Sequence, residues 1–101
     1  MSLLNTDTIF ALATPPGMSA IAVIRISGDK ALQVPQLFDV AAGAVRTAKR
    51  VFLKEKNGTI IDDVMVLGFA APASATGEDV LEIHCHGSVA VIDDILSVLA
   101  K

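Results

Sequence analysis

The chain has 101 residues, room for one small domain, and 52% are hydrophobic, which excludes disorder. Net charge is −3 and the sequence pI about 5.1, with no Trp or Tyr, which excludes a surface that grips nucleic acid by itself. No apolar run is long enough for a membrane-spanning helix, and the single cysteine, Cys85, excludes an internal disulfide.

The first predicted strand is Thr8 to Thr14, stopped by Pro15-Pro16-Gly17, where prolines remove ladder donors and Gly17 suits a tight turn. Ala20 to Ser27 reads as a second strand. It is apolar on both faces, so the expectation is a central strand covered on both sides. Arg25 is the exception, sharing a face with Ile21 and Val23. Burying a guanidinium unpaired is costly, so Arg25 is expected at an exposed strand end or beside an anion. A helix follows from Gly28-Asp29, with Ser27 or Asp29 as candidate caps. Ala31, Leu32, Val34, Leu37 and Phe38 supply its apolar side, and Pro35 is expected to kink it.

Ala41 to Thr47 reads as a loop of small residues and Arg50 to Glu55 as a third strand. Lys56-Asn57-Gly58-Thr59 carries Asn-Gly, a signal for a two-residue hairpin turn. Ile60 to Phe69 is the fourth strand, with Asp62-Asp63 read as a solvated strand turn rather than a metal site. Ala70 to Gly77 is a loop. Val80 to Cys85 alternates as a half-buried strand does, with Leu81, Ile83 and Cys85 on a core face. Val80, Glu82, His84 and His86 share the other face. Gly87 stops the strand, and Ser88 can cap a last helix running to Lys101, whose stripe Val89, Ile92, Ile95, Leu96, Leu99 faces the sheet. The order is strand, strand, helix, three strands, helix. It predicts an α+β two-layer sandwich: a mixed, mainly antiparallel sheet of about five strands with two helices on one face.

Three chemistries are compatible with these residues. Glu82, His84 and His86 in a row could chelate a divalent metal for hydrolysis, although no third His or second Cys joins them. Cys85 lies between two histidines in sequence, but the pleat turns it from both, and a buried apolar role fits it better. Glu82 could instead accept two parallel hydrogen bonds from an amidine-like edge such as that of a pterin, with Arg25 binding an oxygen-bearing part of the same ligand. Simple pairing of Arg25 with Glu82 explains the same two residues, and the spacing leaves these readings open. No Walker loop is present, so no nucleotide-hydrolysing site is expected in the chain.

Three blocks together resemble a known family: Asp7-Thr8-Ile9 with Ala13-Thr14-Pro15-Pro16-Gly17, then Ile24-Arg25-Ile26-Ser27-Gly28, then Thr76 through Glu82 with His86-Gly87. They are similar to the opening of the tRNA modification GTPases of the MnmE (TrmE) family, in order and over nearly the whole chain. The resemblance implies that residues 1–101 form a single N-terminal, folate-binding and dimerising domain. Family members continue into a helical domain with an inserted GTPase domain. Their N-terminal domain looks like the folate domain of glycine-cleavage aminomethyltransferases and takes a 5-formyl-tetrahydrofolate-type cofactor.

By motif position, the family's folate-contacting Arg and Glu fall on Arg25 and Glu82. The implied partners are a second copy, an MnmG-type flavoprotein and tRNA. The implied activity is carboxymethylaminomethyl-type modification at C5 of a wobble uridine in the cytoplasm. GTP, potassium and magnesium belong to the full-length protein, and the segment alone is expected to be non-catalytic. A dimerisation module without ligand is the alternative reading. One departure is visible: where the family often has Arg-Gly-Gly after Pro-Pro-Gly, this sequence has Met18-Ser19-Ala20.

Overall fold

This computed structural model describes residues 8–14, 20–41 and 43–100. The turn expected at Pro15-Pro16-Gly17 and the departure at Met18-Ser19 lie outside the described residues. Five strands form one antiparallel sheet: β1 (Ile9–Leu12), β2 (Ile21–Ser27), β3 (Lys49–Lys54), β4 (Ile60–Phe69) and β5 (Val80–His86), in the spatial order β1-β2-β5-β4-β3. A 3₁₀ helix (Ala31–Phe38) follows β2, and helix α1 (Val89–Leu99) follows β5. The α+β expectation of five strands and two helices is met, with every strand pair antiparallel.

One face of the sheet carries the core. Ala22, Ile24 and Ile26 of β2, Leu53 of β3, Val64 and Val66 of β4, and Leu81, Ile83 and Cys85 of β5 are all buried there. Ala31, Val34 and Phe38 from the 3₁₀ helix and Ile95 and Leu99 from α1 close over them. Burying apolar area of this kind is the main favourable term in folding. Gly68 allows the close approach: a Cβ there would lie 2.9 Å from the Leu32 side chain of the 3₁₀ helix.

The opposite face differs from the sequence reading of β2. Ile21 is 59% exposed, and Val23 and Arg25 are only partly buried, so β2 is covered on one side. Apolar residues on both faces of a strand signal cover for both, and among the described residues only one face is covered by helices. Ile9 of β1, Phe52 of β3 and Met65 of β4 also lie exposed on this open face. Among the described residues, the 70–79 loop roofs the Ser27–Val80 end of this face. Ser27 Oγ meets Thr76 Oγ1 at 2.8 Å, Gly28 N–H donates to Asp79 O at 2.9 Å, and Ala71 N–H donates to an Asp79 carboxylate oxygen at 2.9 Å.

Local signals fared unevenly. Ser88 caps α1 as expected, its hydroxyl accepting from Val91 N–H at 3.1 Å. The first helix is 3₁₀ rather than a kinked α-helix, with Pro35 inside it; in an α-helix the proline ring would clash with the carbonyl four residues back. Neither Ser27 nor Asp29 caps it. Thr8 instead accepts from Lys30 N–H at 3.0 Å, reaching in from the start of β1. The β3–β4 hairpin forms, but its turn is Lys56-Asn57-Gly58, one residue longer than the Asn-Gly signal predicts. Glu55 N–H donates to Thr59 O, Gly58 N–H donates to Glu55 O, and Gly58 takes a left-handed φ of 88°. A left-handed third position of this kind matches the strand twist after an ordinary turn. Replacing Gly58 by Ala should cost about 1 kcal/mol, read from urea denaturation, whereas Lys56→Ala should be near neutral.

Candidate functional site

The register of the two central strands builds the site. β2 and β5 run antiparallel with Arg25 directly opposite Glu82 and Val23 opposite His84. On the other side of β5, Leu67 and Met65 of β4 lie opposite Glu82 and His84. Directly paired residues share a sheet face, so these six side chains gather on the open face.

Glu82 is the centre of this group. Its side chain is 15% exposed, against 39% for Arg25 and 35% for His84. Arg25 donates twice to one carboxylate oxygen, from Nε at 3.1 Å and from Nη2 at 2.8 Å to Oε2. His84 donates from Nε2 to the other oxygen, Oε1, at 3.0 Å. A carboxylate here must be the charged, accepting partner of both. Burial pushes the Glu82 carboxyl up, but the hydrogen bonds from His84 and Arg25 outweigh it, and the group titrates below its ordinary value. Of about four acceptor positions on a carboxylate, three are then used, leaving one on Oε1.

Sequence reasoning brought Arg25 and Glu82 forward, and the fold brings them together. Their pairing was one of the open readings, and the ion pair is what the structure shows. The proposed metal row does not assemble. His84 is drawn to Glu82, while His86 is drawn away to Asp62, which accepts from both His86 N–H at 2.9 Å and Nδ1–H at 2.8 Å. Among the described residues no group of three or more His, Cys, Asp or Glu could hold a metal ion. Asp62 and Asp63 also differ from the solvated turn expected of them: both lie within β4. Asp62, 11% exposed, holds His86, and Asp63 accepts from the Arg50 guanidinium of β3. Sequence alone gave no sign of the Asp62–His86 link, since its partners are 24 residues apart.

Cys85 lies on the core face, as expected. Burial pushes its thiol up to about 11, with Asp62 adding to the shift, so the nucleophilic thiolate is scarce at neutral pH. The Glu82 group is therefore the strongest candidate for binding. It offers a negative charge, a guanidinium paired with it and apolar neighbours on the same sheet face.

The sign of its pH dependence follows. A carboxyl lowered on folding adds stability that is complete above its unfolded pKa and lost as pH falls through the folded value. At neutral pH, Glu82→Gln should lose about 1–2 kcal/mol by chemical denaturation. The gap between wild type and variant should close as pH falls through the carboxyl's lowered folded value. A gap independent of pH would contradict the charged assignment.

Comparison with known sequences adds an independent line. Residues 8–101 match the family described as GTP-binding protein TrmE N-terminus. Proteins named tRNA modification GTPase MnmE are similar over nearly the whole chain. The one from Fervidobacterium nodosum is 42% identical over 97% of this chain and 23% of its own length. Those from Rhodopseudomonas palustris strain HaA2 and Ehrlichia canis are 48% and 50% identical, over 96% and 94% of this chain and 21% and 22% of their own lengths. The chain thus spans about a fifth of the length of these curated relatives.

Proposed function

The chain belongs to the TrmE N-terminal family, and from that premise we propose that it serves its parent tRNA modification GTPase as a folate-binding, dimerising domain. The observation that carries the reading is the Arg25–Glu82 pair. Two oppositely charged side chains 57 residues apart in sequence meet on the open sheet face. They are the two that the family resemblance assigns to folate.

The residues fit a reduced pterin. Its ring N–H and amino group form an edge of two adjacent donors, which Glu82 can accept, and Arg25 can turn to a carbonyl or carboxylate oxygen. Leu67, Val23 and Met65 offer apolar surface to the ring. Bound there, a 5-formyl-tetrahydrofolate or related cofactor supplies a one-carbon unit. In the full-length protein, GTP hydrolysis with magnesium and potassium, an MnmG-type flavoprotein and a tRNA complete the cytoplasmic wobble-uridine modification. Among the described residues no helix is long and apolar enough to cross a membrane.

Calorimetric titration of the intact protein with 5-formyl-tetrahydrofolate tests the cofactor. Arg25→Ala and Glu82→Ala should each weaken binding at least about tenfold. Wild type that takes up no folate would leave the ligand-free dimerisation module as the reading.

A second copy is supported by the contrast between the sheet's two edges. The β3 edge is guarded by Lys49, Arg50 and Lys54, whereas β1 presents Ile9, Phe10, Ala11 and Leu12 with no charge. Natural sheets protect such an edge by pairing it, covering it or charging it. Sedimentation should show a dimer for wild type. Ile9→Lys, which alters a residue 69% exposed in the monomer, should shift the population toward monomer without lowering monomer stability.

A further inference from the structure

Glu82 is held by two donors that differ in kind. Arg25 approaches from the neighbouring strand on a long, flexible side chain and takes Oε2 with two N–H groups. His84 approaches from the same strand, two residues along, and takes Oε1 with one. The ring lies between Val23 on β2 and Met65 on β4, both apolar, so Glu82 is the polar partner to which its Nε2 is bonded.

A ligand that presents two parallel donors needs a free acceptor position on each carboxylate oxygen. Oε2 has none while Arg25 holds it with both groups. Oε1 has one left beside the His84 bond. The ligand can therefore enter with two hydrogen bonds only if Arg25 releases Oε2. A carboxylate that then lost all its partners would be a poorly solvated charge free to change rotamer.

We propose that His84 is the positioning residue of this site: its Nε2–H keeps the Glu82 carboxylate in place while Arg25 is exchanged for the two donors of a ligand edge. The assignment rests on the folate reading for the identity of that edge, an N–H beside an amino group. His84 itself does not touch the ligand's donors. Arg25, released from Oε2, is then available to an acceptor elsewhere on the same molecule. The exchange makes the pair a closed form of the site, opened by the ligand rather than blocking it.

The test combines two measurements on the intact protein, with His84→Ala and His84→Gln as variants. The glutamine amide can donate over a similar reach, so it preserves the bond while removing the ring. The first measurement needs no ligand. In 13C NMR, His84→Ala should raise the titration midpoint of the Glu82 carboxyl, and His84→Gln should restore most of the change. The second is calorimetric titration with 5-formyl-tetrahydrofolate and its 2-desamino counterpart. Wild type should favour the amino form, and His84→Ala should weaken that form about tenfold and shrink the preference. His84→Gln should stay close to wild type.

An unmoved Glu82 midpoint overturns the positioning role, whatever the ligand data show. Equal binding of both ligands by wild type and His84→Ala overturns its part in recognition. If wild type takes up neither ligand, the folate reading falls, and the carboxyl midpoint alone still decides whether His84 holds Glu82.

Discussion

The pairing of β2 with β5 is the constraint on which the rest depends. One register sets Ala22 against Cys85, Ile24 against Ile83 and Ile26 against Leu81 on the core face. The same register sets Arg25 against Glu82 and Val23 against His84 on the other. A slip of one residue would turn one of the two strands over, burying either the guanidinium or the carboxylate where the helices now pack. The hydrophobic core and the charged group are thus two readouts of one alignment, and selection for either maintains the other.

That coupling explains why the candidate site lies on a strand rather than on a loop. The backbone at Arg25 and Glu82 is held by neighbours on both sides, since β2 and β5 are interior strands of the sheet. Arg25 reaches Glu82 from the neighbouring strand and His84 from the same strand. A domain of this kind presents hydrogen-bonded polar groups among apolar neighbours on one sheet face. That suits a planar ligand, or the matching face of another copy, better than it suits an irregular peptide.

Much of this was legible in the sequence where the signal is local. The alternation from Leu81 to Cys85 gave the core face of β5, and Ser88 before an apolar helical stripe gave the cap. What was not legible depended on distant partners. The apolar residues on both faces of β2 gave no indication that, among the described residues, only one face is packed by helices. Thr8 could not be seen as the acceptor for Lys30, nor Asp62 as the anchor of His86, because nothing in either neighbourhood names the other strand. The hairpin failed more narrowly: Asn57-Gly58 specified a turn but not whether Lys56 belonged to it. At the candidate site the residue types were readable, while the division of the two Glu82 oxygens between Arg25 and His84 required the register.

The 70–79 loop has a consequence for the open face. It is pinned at its middle by Thr76 on Ser27 and at its end by Asp79, which ties back to both Gly28 and Ala71. These bonds use the loop's own backbone and side chains to bound the Ser27–Val80 end of the open face. The connection that bounds one end of the charged group is thus tied to the same strand, β2, that carries Arg25.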